Sequence, residues 1–209
     1  MYKRQHHFGT PILPPIAPIH CESTHAKETF VLVYLPFESR TEITKLLKRF
    51  PDQKFVIYHP DAEPKKIKNL DWRKPSRHQF PEDLAACDGV ICNAGFELAS
   101  ETLQLGKKIL VKPMSKQVEQ HSNALALESL GWGRAMMNLS PAIVEDWLSD
   151  TQAVTLKYPD TAAIVADYIA QGAKGNIEQL VNKLWSQTML PSNGKDQSYR
   201  PQTSRNIAA

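Results

Sequence analysis

Between residues 30 and 150, short apolar runs alternate with apolar residues at helical spacing. Residues 30–35 are unbroken apolar and strand-length, and Ile43, Leu46, Leu47 and Phe50 follow on one helix face. Residues 55–58 predict a second strand, 67–72 a weaker third, and 80–86 a short helix with Pro81 in its first turn. Residues 90–92 and 108–111 predict two more strands, each running directly into a helical segment. Ser140 and Pro141 have the character of a cap and a first helical residue, with Ile143, Val144, Trp147 and Leu148 on one face behind them. Two amphipathic helices close the pattern, over 160–170 and 177–185. The second keeps the stripe Ile177, Leu180, Val181, Leu184 and Trp185. Strands alternating with helices imply right-handed crossovers. The expected fold class is therefore α/β, a Rossmann-like parallel sheet with helices on both faces.

The flanks differ from this middle. Pro11, Pro14, Pro15 and Pro18 crowd a short span, so residues 1–28 are expected to be linker or disordered. Residues 189–209 are polar without apolar period and predict a disordered tail, leaving 29–188 as the folded domain. Hydrophobic residues make up 42% and charged residues 22%, as in ordinary soluble domains. The net charge of +3 is small, and its cations are dispersed along the chain, which argues against nucleic acid as a partner. No run approaches the ~18 apolar residues of a transmembrane segment, and no signal-peptide pattern opens the chain. A cytoplasmic protein is expected, working in solution or at the membrane surface.

Neither cysteines nor histidines suggest a metal. Cys21, Cys87 and Cys92 lack ligand spacing, and the latter two, beside or within a strand, read as reduced core thiols. His6, His7, His20 and His25 fall in the expected linker, and His121 reads as a surface imidazole. No G-x-G-x-x-G follows a strand, so the dinucleotide fingerprint is absent, and no G-x-S-x-G elbow is present.

The candidate chemistry lies in residues 87–131. Gly95 stands where a strand turns into a helix. It is either a plain tight turn or a place where a phosphate reaches free helix N–H groups. Glu97 suits a first helical turn because of the dipole alone. Glu101 lies one turn further on the same face, where two carboxylates repel, and could instead accept both hydroxyls of a vicinal diol. Pro113 ends the next strand, and Gln117, Glu119, Gln120 and Asn123 crowd the following helix start. They are either a solvated face or ligand groups. Val118, Leu125, Leu127 and Leu130 are the residues expected to pack this helix.

Several motifs in register carry a resemblance. Phe80, Asp83, Leu84, Cys87 and Asp88 lead into a strand. Gly95, Glu97, Ser100 and Glu101 follow, then Gly106, Lys107 and Pro113, then Glu119, Gln120, Asn123, Ala124, Leu127 and Gly131. This order resembles the C-terminal, donor-binding half of GT-B glycosyltransferases, closest to the family 28 type. The resemblance implies a nucleoside diphosphate sugar, UDP-sugar in the first instance, as substrate, with no cofactor and no metal. Glu101 would hold ribose hydroxyls. The backbone of Gly95, Phe96, Glu97 and Leu98 would lie against the ribose-diphosphate, and Glu119 with Gln120 would bind the donor sugar. Residues 74–80 would border the base. Where the family has a glycine-rich phosphate loop, this chain reads PFESR, leaving Ser39 or Arg40 to act through side chains. The family's acceptor domain and usual catalytic base precede the donor half. A fragment is therefore expected, with an acceptor of lipid or glycan type and little turnover by itself. Two alternatives stand: a nucleotide-sugar 2-epimerase, or a non-catalytic module with an apolar partner surface around Trp132 and Trp147.

Overall fold

The structure, a computed structural model, describes residues 11–17 and 29–191. The expectations for 1–10, 18–28 and 192–209, including Cys21 and His6, His7, His20 and His25, lie outside the described residues.

Among the described residues seven strands form one sheet: β1 (Phe30–Tyr34), β2 (Lys54–Tyr58), β3 (Lys65–Ile67), β4 (Leu70–Arg73), β5 (Gly89–Asn93), β6 (Lys108–Lys112) and β7 (Arg134–Ala135). All pairs are parallel except β3 with β4. The helices are α1 (Arg40–Leu47), α2 (Gln79–Ala86), α3 (Phe96–Gln104), α4 (Val118–Ser129), α5 (Pro141–Asp150), α6 (Thr161–Ala170) and α7 (Ile177–Gln187). The central strands are buried on both faces, which is why they read as continuous apolar runs. Along each, alternate residues enter opposite cores. Val90, Cys92, Ile109 and Val111 meet Leu84 of α2, Ala99 and Leu103 of α3, and Ala124 and Leu127 of α4. Val33, Ile57, Ile91 and Leu110 meet Ile43, Leu46 and Leu47 of α1, and Val144 and Trp147 of α5. Each Val, Leu or Ile among them, fully buried, stabilises the fold by roughly 1.5–3 kcal/mol.

The strand order is β3-β4-β2-β1-β5-β6-β7. From β1 the chain winds through α1 to β2 on one side. From β4 it returns through α2 to β5 on the other. The winding therefore reverses between β1 and β5, a switch point outside whose carboxyl ends open α/β sheets form a ligand crevice.

Several elements depart from expectation. Residues 67–72 are not one strand but the turn and second arm of a hairpin. Lys68 takes a left-handed φ of 54°, and the Asn69 amide donates to the Phe50 and Gln53 carbonyls, locking that turn against the α1–β2 loop. β7 is a two-residue strand too short to leave a pattern. Trp132 and Trp147 are buried, at 5% and 0% exposure, so they form no partner surface. Gly89 makes room for Trp147: a Cβ there would lie 2.9 Å from the indole ring. Within residues 11–17, Pro14 and Pro15 are buried, and the Ile12 carbonyl accepts from the Trp185 indole N–H at 2.8 Å. That part of the Pro-rich stretch is held against α7.

Candidate functional site

β5 ends in Asn93, and α3 begins three residues later at Phe96, behind Gly95, its N-cap. Gly95 has φ −68° and ψ 149°, extended torsions open to any L-residue. A Cβ at this position would find no atom within 4 Å. Neither backbone strain nor packing within the chain calls for glycine here. No side chain caps α3 either, so the N–H groups of its first turn and the positive end of its dipole have no side-chain cap. Phe96 and Leu98 are half-buried against the core beneath, whereas Glu97 is exposed.

Glu101 lies one turn further along α3, half-buried. Burial, with the neighbouring Glu97 charge adding to it, raises its carboxyl above the usual range. Carboxyls raised by burial are enriched at functional sites.

The structure corrects the reading of α4. Its inward face is Gln120, Asn123, Ala124 and Leu127, while Val118 and Leu125 are exposed at 79% and 59%. The amides face inward because neighbouring loops have backbone groups to satisfy. Gln120 Oε1 accepts from the Met114 N–H at 3.0 Å, and Asn123 Nδ2 donates to the Ala94 carbonyl at 3.0 Å. Through these bonds the two amides tie down the two loops at the sheet edge. Pro113 is buried between them, and Gln117 and Glu119 are exposed at the helix start.

Ser39 and Arg40 are engaged elsewhere. Ser39 caps α1, its Oγ accepting from the Glu42 N–H at 3.2 Å and donating to the Glu42 carboxylate. Arg40 donates to the Asp61 carbonyl at 2.9 Å and stacks over Trp72. The cation brought to the crevice is instead Lys112, whose Nζ lies 2.5 Å from Glu38 Oε1. No local pattern joins these two residues, 74 positions apart. Glu38 is steadied by His59: the ring Nδ1 accepts from the Asp61 N–H, which leaves the proton on Nε2, and this N–H donates to the Glu38 carbonyl at 3.0 Å.

Toward residues 74–80, Asp83 of α2 accepts from the Tyr58 hydroxyl at 2.6 Å and pairs with Arg73, whose other side pairs with Asp71 at 2.7 Å. Tyr58 and Tyr34 clasp Phe80 edge-on. An open cavity of about 480 Å³ lies beside this network, lined by Lys65, Trp72, Arg73, Lys74 and Gln79. A larger one of about 580 Å³ lies where the strands begin, against Trp132, Arg134 and Asp150, at the opposite end from Gly95 and Glu101. Among the described residues no group of three His, Cys, Asp or Glu side chains could hold a metal ion, and no helix is long and apolar enough to cross a membrane.

Known proteins agree with this architecture. A search of the curated proteins finds no sequence match. Among solved structures the chain is similar to CalG4, the calicheamicin glycosyltransferase, at 14% identity and TM-score 0.50, covering 66% of this chain and 37% of that one. It is also similar to the glycosyltransferase SnogD from Streptomyces nogalater (19%, TM-score 0.48, 68% and 37% covered) and to ALG13 in solution (12%, TM-score 0.45, 76% and 98% covered). The chain spans about two fifths of the length of the first structures it matches. The likeness to CalG4 concerns the fold alone. The profile described as Glycosyl transferase family 1 matches residues 2–151, and the chain belongs to that family.

Proposed function

We propose that this chain is the donor-binding half of a glycosyltransferase that moves a sugar from a nucleoside diphosphate sugar to an acceptor held by another domain. The observation that carries the reading is Gly95: a glycine with ordinary torsions and open space around it, at the uncapped start of a helix beside the topological switch point. A diphosphate seated there would supply the missing cap and exploit the helix dipole. Glu101, further along the same helix, accepts from the two ribose hydroxyls in this reading. Helix N–H groups and a lysine then stabilise the departing diphosphate without a metal ion. The base lies toward residues 74–80, whose footing is the Tyr58–Asp83–Arg73 network. The acceptor site and the base that deprotonates the acceptor belong to the domain that completes the cleft, so the chain by itself binds donor and turns over little.

Titration calorimetry of the chain with UDP and the other nucleoside diphosphates tests this. Binding that Glu101→Ala weakens about tenfold or more supports the reading, the loss of a charge-assisted pair of hydrogen bonds. Flat titrations with every nucleotide at millimolar concentration would refute it.

A further inference from the structure

The Glu38–Lys112 pair stands in an unusual place. β5 lies between β1 and β6, so a contact from the loop after β1 to the last residue of β6 passes across the tip of β5. Both side chains are mostly buried, at 15% and 12% exposure. Below them, Asn93 is 8% exposed. Its Nδ2 donates to the Lys112 carbonyl at 2.9 Å, which fixes the orientation of the amide, and its Oδ1 is buried with no partner. A buried carbonyl oxygen without a donor is costly and calls for an explanation. One rim of the sheet therefore combines a cation paired with a carboxylate and an acceptor that lacks a donor. A ligand carrying both phosphate and hydroxyl groups satisfies both.

Resting on the donor-half reading, we propose that Lys112 is the cation that meets the diphosphate, and that Glu38 is its counter-ion in the unliganded protein, displaced when the diphosphate arrives. The exchange is between like partners: Lys112 keeps one charge-assisted hydrogen bond throughout, first to a carboxylate and then to a phosphate oxygen. Glu38 cannot remain beside the phosphates, since two anions sharing one cation in a half-buried site repel. It sets a threshold instead. A nucleoside lacks the charge to displace it, whereas a diphosphate has enough. Asn93 Oδ1 then accepts from a ligand hydroxyl at the same rim.

The test is calorimetry of the chain and its Glu38→Gln, Lys112→Met and Lys112→Arg variants with three probes: UDP, uridine and inorganic pyrophosphate, with thermal unfolding alongside. Lys112→Met should weaken UDP and pyrophosphate about tenfold or more and leave uridine unchanged, while Lys112→Arg retains both. Glu38→Gln should tighten UDP and pyrophosphate several-fold, because the competing anion is gone, even if its unfolding temperature falls. A Glu38→Gln variant that unfolds earlier but binds UDP no more tightly would show that the pair is only a strut. Equal loss of uridine and UDP in Lys112→Met would likewise overturn the assignment. Uridine binding with no response to pyrophosphate defeats this inference alone; failure of the unmodified chain to bind any probe defeats the donor reading beneath it.

Discussion

Gly95 offers the sharpest separation between a structural and a binding role. Substituting alanine adds one methyl at torsions alanine accepts, into space with no protein atom within 4 Å. Restricting the unfolded chain stabilises by about 0.4–1 kcal/mol when the native torsions are compatible. Alanine is a poorer N-cap than glycine, which offsets this by about 0.5–1 kcal/mol. The two nearly cancel, so Gly95→Ala should unfold within about 2 °C of the parent, given roughly 2–4 °C per kcal/mol for a domain of this size. Gly89→Ala is the control. Its Cβ would lie 2.8 Å from Lys108 Cγ and 2.9 Å from the Trp147 ring. Overpacking of that kind costs about 1–3 kcal/mol, or about 2–12 °C. Calorimetric UDP affinity should move the other way: down about tenfold or more in Gly95→Ala, where the methyl stands between phosphate and helix N–H groups, and little changed in folded Gly89→Ala. If Gly95→Ala is as stable as the parent and binds UDP equally well, no ligand approaches the backbone there, and the central argument for the site fails.

Three further outcomes follow from the same geometry. Glu101→Gln should raise stability while weakening UDP binding. Its folded carboxyl titrates above the unfolded value of about 4.3, so the native state holds the extra proton and stability declines as pH rises through that window. The variant's gain in unfolding temperature should therefore be absent near pH 4 and present at pH 7, with the Glu97 repulsion alone contributing about 0.2–0.5 kcal/mol, or about 1 °C. Asp83→Ala strips the partner from the Tyr58 hydroxyl and one from Arg73, and should cost about 2 kcal/mol, or about 4–8 °C, by scanning calorimetry. Burial pushes the Cys87 and Cys92 thiols up to about 12. At pH 8 iodoacetamide should leave both unmodified by peptide mapping until the chain unfolds, and rapid labelling of either in the native protein would contradict the packing.

The sheet was legible because doubly covered parallel strands are apolar without interruption, so β1, β2, β5 and β6 announce themselves within a residue or so. The edge hairpin was not. β3 reads Lys65-Lys66-Ile67, all exposed, and what holds it is backbone pairing and the Asn69 amide. α4 shows a second limit. Its apolar residues Val118 and Leu125 suggested the packing face, yet two amides occupy the inward positions, because the need for a donor or acceptor arises from loops elsewhere in the chain. The site divides in the same way. Gly95 and Glu101 belong to a local strand-turn-helix pattern and were visible. Glu38, Lys112 and Asn93 acquire their meaning only when three strand tips are brought together, which no spacing within the sequence encodes.

The two amide contacts of α4 also bear on how such a domain could be re-engineered. One helix fastens the peptide at Ala94 and the peptide at Met114, so the turns after β5 and β6 are pinned to a common bar. A foreign 113–117 segment whose turn moves the residue-114 N–H, or that places proline there, would strand the Gln120 oxygen beside the Asn123 contact. Exchanges in this region should transplant turn and helix as one cassette.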